Sequence, residues 1–538
     1  MRLVNVQQML SLEAEANQEG LSYAAMMAKA GLGLAQLVHQ RYFFRKARSI
    51  LGLVGSGNNG GDTLIALAHL ANWGWRTHAF LLKDRPGDDD ALGAYKKGGG
   101  EIITLTDKQA LASLRELALS CDYILDGILG TGINQPLKGE AKRVLQMLSA
   151  LPDHAPVIAV DCPSGVDCDN GSAAIECLRA DLTVCMAAVK QGLLQQPALE
   201  LAGEITAVEI GLPKNLDAWR EVSETQVMEA AMVAALLPPR PPDAHKGSFG
   251  TCLIAAGCVN YCGAVLLAAE AAYRSGVGLV RAAIPAAIYD ALAGHLPETT
   301  WLLLPHTQGV FNGEGAKILM ENLASVDSLL LGPGWGIENE TLDFLRKLLK
   351  GAQGNQGQNQ MGFNAVPKEK LKVMSLPKLV IDADALKLLA QIEGWEKMLG
   401  GQAVLTPHPG EMSILTGLTV KEIQSRRQEI ASEYARRWGQ VVVLKGALTV
   451  IADGAGRCTL VPVADAALAT AGSGDVLAGV IAALLAGGMQ AYEAAQSGAW
   501  LHARAGQLAA KRLGNRASVM AGDILRALPE VISQIGGQ

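Results

Sequence analysis

Aromatic residues and net charge are both scarce in this chain of 538 residues, at 4% and −6 respectively. Acidic and basic residues are interspersed, and the sequence has neither the basic stripe of a nucleic-acid-binding protein nor the polybasic cluster of a membrane-surface protein. We therefore expect neither nucleic acid nor a membrane among its partners.

Paired cysteine motifs and export signals are also missing. The nine cysteines include no CxxC pair, and no histidine pair lies near them at zinc-ligand spacing, so we expect reduced thiols rather than a zinc site. The N-terminus lacks the unbroken apolar core of a signal peptide. The longest apolar run, Val476 to Met489, is too short to cross a bilayer. These absences predict a cytoplasmic protein.

Glycine is abundant, with 60 residues, and short aliphatic runs alternate with helical patterns along almost the whole chain. This βαβα order predicts α/β domains in which helices cover both faces of a parallel sheet. The strand-like runs are residues 49–54, 77–82, 122–126, 156–161, 182–187, 251–257, 278–284, 328–334, 378–384, 402–406 and 440–446.

The alternation breaks near residue 213, and a proline-rich segment follows at 238–242. Proline cannot continue a helix or enter a central strand, so the domain boundary is expected between about 213 and 240. We assign residues 1–218 to one domain and 225–538 to another. A stretch rich in Gln, Asn and Gly, 350–370, is predicted to be a flexible insertion in the second domain.

Three glycine-rich loops in the first domain each follow a predicted strand. VGSGNNGGDT (54–63) matches neither a Walker motif nor GxGxxG, and DGILGTG (126–132) and VDCPSGVD (160–167) each begin near a strand-end aspartate. Ligands of open α/β sheets collect at the carboxyl ends of strands, so these loops are expected to converge. Any one aspartate alone is better explained as a helix cap or turn former, but the three loops together favour a site whose oxygen ligands suit a hard cation. The side chains concerned are Asn58, Asn59, Asp62, Asp126, Asp161 and Ser164.

These motifs, with Lys190 and EITAVEIGLP, resemble the NAD(P)H-hydrate epimerase domain over most of residues 1–215. The resemblance implies a Rossmann-like three-layer α/β/α fold acting on NADHX and NADPHX. It implies a potassium ion held by Asn59, Asp126 and Ser164. It also implies that the hydrated dinucleotide is bound by Asn58, Asn59, Gly60, Gly61, Asp62, Gly130, Thr131, Gly132, Ile133, Asn134, Gln135, Pro136 and Asp161.

Epimerisation interconverts the R and S forms at the hydrated ring carbon, which requires proton transfer. Asp161 is the candidate acid–base residue. Lys190 is a second candidate, with an idle surface lysine as the alternative. The sequence departs from the family at Thr63, where glycine is usual, and a tighter backbone approach is expected there.

The segment ATAGSGDVLAGVIAALLAG (469–487) places Gly472, Ser473 and Gly474 before an Ala-rich helix that Asp475 opens. Bare N–H groups and the helix dipole at such a start form an anion hole. Asp475 can there take a proton from a hydroxyl while phosphate charge is stabilised beside it. The alternative is that Asp475 is only a first-turn helix residue.

This arrangement resembles the ribokinase-like superfamily, again a three-layer α/β/α fold. HKGSFG, GPGWG, VIDADAL, LTPHPGEMSILTG and VVLKGALTVI resemble the ADP- or ATP-dependent NAD(P)H-hydrate dehydratase from about residue 240 onward. The resemblance implies substrate contacts from Ala264, Gly334, His408 and Asp475. It implies nucleotide contacts from Lys445, Gly446, Ala447, Leu448, Thr449 and Gly474. Asp382 and Asp384 are candidates to orient a magnesium ion, with turn capping as the alternative.

The resulting hypothesis is a bifunctional repair enzyme that epimerises NAD(P)HX and then dehydrates the S form, using ADP and releasing AMP and phosphate. The alternative is a ribokinase-like small-molecule kinase with a non-catalytic, ligand-binding first domain. The sequence leaves open the choice of ADP or ATP, the choice of NADHX or NADPHX, and whether the chain forms a homo-oligomer.

Overall fold

The structure is a computed structural model that describes residues 1–43, 48–133, 135–353, 376–401 and 403–536. The chain divides into two compact units, Met1–Glu229 and Ala230–Gln538. Within the described part, no single helix combines the length and apolar composition needed to cross a membrane; one pair of helices, bent by 118°, meets both requirements only when taken together.

The first unit contains seven α-helices and ten short strands within its described residues. The helices are α1 (Val6–Gln18), α2 (Tyr23–Tyr42), α3 (Asn58–Asn72), α4 (Asp90–Lys97), α5 (Lys108–Ser120), α6 (Gly139–Ser149) and α7 (Ala198–Ala202). The strands are β1 (Leu3–Val4), β2 (Ser49–Val54), β3 (Arg76–Leu81), β4 (Glu101–Thr104), β5 (Tyr123–Gly127), β6 (Val157–Val160), β7 (Leu182–Met186), β8 (Val189–Lys190), β9 (Glu204–Val208) and β10 (Gln226–Val227).

The main sheet of the first unit has the order β4-β3-β2-β5-β6-β7-β9, and all neighbours are parallel. The chain runs outward from β2 to β4 and then returns to β5 beside β2. Strand order therefore reverses between β2 and β5, and a crevice opens at the carboxyl ends of strands at such a switch point. The glycine-rich loops after β2 and β5 lie there.

Side chains of β2 alternate between two apolar cores. Ile50 and Val54 pack with α1 to α4, whereas Leu51 and Leu53 pack with α5 and α6. Because successive side chains of a strand point to opposite faces, helices cover both faces of the sheet. The three-layer α/β/α architecture predicted for this part of the chain is confirmed.

The second unit is built from twelve α-helices and eleven strands in its described residues. Its helices are α8 (Ala230–Leu236), α9 (Gly263–Arg274), α10 (Tyr289–Leu292), α11 (Gly313–Glu321), α12 (Asn339–Gln353), α13 (Asp384–Leu389), α14 (Pro409–Thr416), α15 (Val420–Ser425), α16 (Arg427–Trp438), α17 (Ser473–Ala486), α18 (Ala491–Leu513) and α19 (Ala521–Gln534). Its strands are β11 (Thr251–Ala255), β12 (Leu279–Pro285), β13 (Thr300–Leu304), β14 (His306–Thr307), β15 (Val310–Phe311), β16 (Ser328–Leu331), β17 (Lys378–Ile381), β18 (Val404–Leu405), β19 (Val441–Leu444), β20 (Val450–Ala452) and β21 (Cys458–Leu460).

The sheet of the second unit runs β21-β20-β19-β18-β17-β16-β11-β12-β13. Strands from β19 to β13 pair in parallel, and β20 and β21 add an antiparallel edge. The Ala-rich helix α17 packs against β16 and β17 and between α9 and α18. The predicted α/β class is confirmed in both units. The stretch expected as a flexible insertion begins inside α12, and its residues from 354 onward lie outside the described part.

Small residues allow α17 and α9 to approach closely. A Cβ added at Gly479 would lie 2.2 Å from the carbonyl oxygen of Ala268. We predict that Gly479→Ala destabilises the second unit by about 1–3 kcal/mol, because the helices must separate to admit the methyl group. Calorimetric unfolding of the full chain measures this. Gly294→Ala is the control, since an added Cβ there meets nothing within 4 Å; equal stability of the two variants would contradict the prediction.

Candidate active sites

The loop after β2 is shaped by glycines that touch backbone. A Cβ at Gly55 would lie 1.9 Å from the Ile128 carbonyl oxygen, and one at Gly60 would lie 2.1 Å from the Gly55 carbonyl oxygen. Helix α3 starts at Asn58, and its N-cap, Gly57, provides no side-chain hydrogen bond. The first turn of α3 therefore presents backbone N–H groups suited to an anion, as the sequence predicts.

Asn59, Asp126 and Ser164 come together around Leu129. The Asn59 amide nitrogen donates to the carbonyl oxygens of Val160 at 2.6 Å and Leu129 at 3.2 Å. The Ser164 hydroxyl donates to Asp126 at 2.6 Å and accepts from the Leu129 N–H at 2.9 Å. Burial raises the pKa of the Asp126 carboxyl, against its hydrogen bonds from Ser164. One carboxylate among neutral oxygens fits a cation of low charge and does not fit zinc.

Asp161 and Lys190 form a buried ion pair. Lys190 Nζ bonds to the Asp161 carboxylate and donates to the Met186 carbonyl oxygen at 3.2 Å, and the Met186 N–H donates to Asp161 at 2.9 Å. Burial works against the charge of Lys190, but Asp161 outweighs it and raises the Lys190 pKa. Lys190 is 1% exposed, so the surface-lysine alternative is wrong.

Two further carboxyls surround this pair. Burial, followed by repulsion from Asp161 and Glu13 and against the attraction of Lys190, raises the pKa of Asp62 to about 8. The sequence gives no motif around Glu13, which lies on α1. Parallel pairing of Val4 with Lys190 places β1, the strand that leads into α1, beside the strand of Lys190. The Asp62 carboxyl, whose pKa is raised above neutral pH, thus lies near the ion pair of Asp161 and Lys190, and carboxyls with perturbed pKa values are typical of acid–base sites.

The predicted substrate loop lies beside the same helix start. A Cβ at Gly130 would lie 2.6 Å from Asn59 Oδ1, and the Gln135 amide donates to the Gly165 carbonyl oxygen at 3.1 Å. Gln135 precedes Pro136 through a cis peptide bond. Thr131, Gly132 and Ile133 are at least partly exposed along this loop. Asn134 lies outside the described residues.

Thr63 is accommodated without loss of the loop geometry. Its hydroxyl donates to the Asn59 carbonyl oxygen at 2.7 Å within the first turns of α3. A Cβ at Gly127 would lie 1.9 Å from that hydroxyl, so glycine on β5 leaves the room that the threonine occupies.

In the second unit, the start of α17 faces a cluster of charged side chains. Its N-cap is Gly472, which lies in the left-handed region at φ 82° and offers no side chain to cap the helix. A Cβ at Gly474 would lie 3.5 Å from Lys445 Nζ and 3.8 Å from Asp382 Oδ2. The glycines of GSGD therefore keep the helix start open toward Lys445 and Asp382.

Lys445 is shared by several acids. Its Nζ lies 2.6 Å from Asp382 Oδ1 and 3.6 Å from Glu411 Oε2. Burial opposes its charge, but Asp382, Glu411 and then Asp475 outweigh that effect and raise the Lys445 pKa. Burial, with repulsion from Asp382 and against the attraction of Lys445, raises the pKa of Asp475 to about 7. The Asp475 carboxyl thus has a pKa close to neutral pH.

His408 caps helix α14. Its ring Nδ1 accepts from the Gly410 N–H at 2.9 Å, and the backbone N–H of His408 donates to Glu411 Oε2 at 2.8 Å. Burial, then Lys445 and Lys387, lowers the His408 pKa. The side chain remains 52% exposed, so His408 both caps the helix and keeps a surface that a ligand could contact.

Ala264 and Gly334 are brought together as neighbours. Gly334 has φ 65°, and a Cβ there would lie 2.8 Å from the Ala264 Cβ. Nearby, Asp384 accepts from the Gly336 N–H at 3.0 Å and from Lys387 Nζ at 2.9 Å, which favours the turn-capping interpretation of Asp384. Among the described residues, no group of three His, Cys, Asp or Glu side chains could hold a metal ion.

Five of the six predicted nucleotide-binding residues, all except Gly474, form the turn between β19 and β20. Leu444 pairs with Val450 across this hairpin, and Lys445 to Thr449 connect them. Gly446 has φ 141° and Leu448 has φ 54°, and the Thr449 hydroxyl donates to the Gly446 carbonyl oxygen at 3.0 Å. The turn is therefore held by this internal hydrogen bond together with bonds to neighbouring segments, such as that from the Leu448 N–H to the Val463 carbonyl oxygen at 3.0 Å.

His502, on α18, is a site neighbour that sequence reasoning missed. Its Nε2 lies 3.0 Å from the Ser473 hydroxyl oxygen, and burial is the main cause that lowers its pKa to about 4. The imidazole is thus neutral at pH 7. No motif connects AWLHARAG with GSGD, and only the packing of α18 on α17 brings them together.

Residues 252–530 match a family model described as NAD(P)H-hydrate dehydratase, and residues 23–192 match one described as YjeF-related protein N-terminus. A bifunctional NAD(P)H-hydrate repair enzyme of Moorella thermoacetica is 37% identical over 99% of this chain and 97% of its own. The enzyme of that name from Thermofilum pendens is 32% identical over 96% of this chain and 93% of its own. A crystal structure of ADP/ATP-dependent NAD(P)H-hydrate dehydratase from Bacillus subtilis, co-crystallised with ATP/Mg2+, is 27% identical and aligns over 58% of this chain and 99% of its own, with a TM-score of 0.47.

The raised pKa of Asp62 predicts a pH dependence of stability. The folded chain holds this proton up to about pH 8, whereas an unfolded aspartate releases it near 3.8, so Asp62 makes stability fall as pH rises between those values. Asp62→Asn removes the titration. We expect the variant to gain stability relative to the wild type from pH 5 to pH 8, by at most about 1.4 kcal/mol per pH unit. Denaturant unfolding at both pH values measures the difference, with exposed Asp84→Asn as control; a variant with the wild-type pH dependence would refute it.

Proposed function

The chain belongs to the family of bifunctional NAD(P)H-hydrate repair enzymes, and on that premise we propose that its two units act in sequence on one damaged cofactor. Residues 1–218 interconvert the R and S forms of NADHX and NADPHX. Residues 225–538 dehydrate the S form to NADH or NADPH with ADP, releasing AMP and phosphate. We further propose a cytoplasmic location; self-association into a homo-oligomer stays a prediction.

The observation that carries this proposal is the placement of Asp475 at the open start of α17, beside the Lys445–Asp382 pair. Hydroxide is a poor leaving group, so the ring hydroxyl must first be phosphorylated. Asp475 takes the hydroxyl proton while the oxygen attacks the terminal phosphoryl group of the nucleotide. Phosphoryl transfer depends on positioning and charge stabilisation, which the N–H groups of α17 and Lys445 supply.

Elimination completes the second unit's reaction. The ring nitrogen lone pair expels phosphate, and loss of a ring proton restores the reduced nicotinamide. Ala264, Gly334 and His408 line the substrate side of this site, and the turn from Lys445 to Thr449, with Gly474, lines the nucleotide side. Magnesium would be held chiefly by the nucleotide phosphates with a carboxylate such as Asp382, and it would neutralise phosphate charge.

In the first unit, Asp161 and Lys190 are the proposed acid–base pair for epimerisation. The loops that contain Asn58 to Asp62 and Gly130 to Pro136 bind the dinucleotide, with phosphate at the start of α3. Asp62, whose pKa is raised to about 8, would be a further proton donor beside the acid–base pair. Asn59, Asp126 and Ser164 would hold potassium, which would supply positive charge beside the substrate loop.

A single assay tests both activities. The protein is incubated with mixed R and S hydrates and ADP, and the recovery of reduced-cofactor absorbance is followed. We expect complete recovery, because epimerisation feeds the R form into dehydration. Recovery that stops when the S form is consumed would refute the epimerase assignment. Accumulation of a stable phosphorylated product would favour the alternative small-molecule kinase.

Asp475→Asn should reduce dehydration of the pure S hydrate by about 100-fold or more, since a positioned general base contributes on that order. Epimerisation should persist. Wild-type dehydration should increase with pH through about 7, because the base acts only when ionised. Asp161→Asn is the reciprocal control, which should spare dehydration of the S form. A normal dehydration rate in Asp475→Asn would remove that residue from the mechanism.

A further inference from the structure

Arg427 begins helix α16 and packs against the turn from Lys445 to Thr449, which we call the nucleotide turn. Its Nη2 donates to the carbonyl oxygens of Leu444 at 2.9 Å and Lys445 at 3.2 Å. Its Nη1 donates to the Gln424 side-chain oxygen at 2.9 Å. All three acceptors are neutral, so they satisfy hydrogen bonds without balancing the charge.

No carboxylate of the described residues forms an ion pair with Arg427. Its Nε is buried and has no hydrogen-bond partner in that part of the chain. Burial alone lowers its pKa, with no acid to oppose the effect. Its place in the first turn of α16 adds repulsion from the positive end of the helix dipole. A half-buried cation with these costs and no counter-charge is unusual in a folded protein.

The neighbouring arginine, Arg426, has a carboxylate partner. Arg426 is exposed and forms a salt bridge with Glu429. Lys445, the other cation of this region, is already shared by Asp382 and Glu411. Lys445 therefore already has carboxylate partners within the protein, whereas Arg427 has none among the residues that the structure describes.

The guanidinium group of Arg427 lies against the nucleotide turn at Gly446. A Cβ added at Gly446 would lie 3.1 Å from both Nη1 and Nη2 of Arg427, and Gly446 adopts φ 141°. Glycine at this position lets the guanidinium approach the turn that connects β19 and β20. Anionic groups bound at that turn would come under the field of this charge with little solvent between them.

We propose that Arg427 is a phosphate-recognition residue of the nucleotide subsite, its charge left unbalanced so that the phosphates of ADP or ATP complete the ion pair. The inference rests on the proposed nucleotide use of the second unit and deepens it. Arg427 then contributes to nucleotide affinity in proportion to phosphate charge. A residue that only anchored the turn would affect all adenine ligands alike.

Titration calorimetry of the full chain with adenosine, AMP and ADP separates these roles. In Arg427→Gln, which keeps a neutral donor for the carbonyl groups, we expect ADP affinity to fall about 10-fold or more, AMP affinity to fall less, and adenosine affinity to stay unchanged. Arg427→Lys keeps the charge and should retain the preference for ADP over adenosine. Arg426→Gln is the matched control and should bind all three ligands as the wild type does.

Two results would overturn the inference alone: wild-type ADP affinity in Arg427→Gln, or an equal loss for adenosine and ADP. Failure of the wild type to bind ADP at all would overturn the proposed nucleotide use, and the inference with it. If Arg427→Gln fails to fold, Arg427→Lys decides the matter through salt dependence. Its ADP affinity should fall with ionic strength as in the wild type while adenosine affinity does not, and equal salt dependence for the two ligands would overturn the inference.

Discussion

In each unit a single buried ammonium group is shared by several carboxyls. Lys190 bonds to Asp161 while Asp62 and Glu13 lie within its field, and Lys445 pairs with Asp382 and Glu411 while Asp475 lies within its own. Burial is the main cause that raises the pKa of Asp62 and of Asp475. Repulsion from the neighbouring carboxyls adds to it, because one ammonium group cannot balance all the acids around it.

The positions of the loops could be predicted from the sequence because glycine marks them. NNGGD and GSGD each open a helix that follows a strand or its loop, and the carboxyl ends of parallel strands bring such loops together. Asn59, Asp126 and Ser164 were found in this way, as were the residues at the start of α17. The turn from Lys445 to Thr449 was identified by resemblance, but its hairpin geometry was not anticipated.

Residues that are brought to the sites only by tertiary packing could not be predicted from the sequence. Glu13 lies on the amphipathic helix α1, whose sequence pattern predicts which face is buried but not which site it meets. His502 lies on α18, where a buried histidine could equally be an ordinary core residue. The burial of Lys190 follows from the pairing of two-residue strands, which no periodicity detects. The strained backbone was also hidden, since Asp161 at φ 67° and Ala383 at φ 53° are not glycines. Such conformations persist where surrounding structure enforces them, and they concentrate at functional sites.

The low proton affinity of His502 has a consequence for the enzyme under acid stress. Asp475 gains its proton near pH 7, whereas His502 stays neutral until about pH 4 and keeps its contact with Ser473 throughout that interval. Under the proposed mechanism, moderate acidification would protonate Asp475 while the contact between His502 and Ser473 at the start of the same helix is retained. The resulting loss of activity would then be reversed by a return to neutral pH, without refolding.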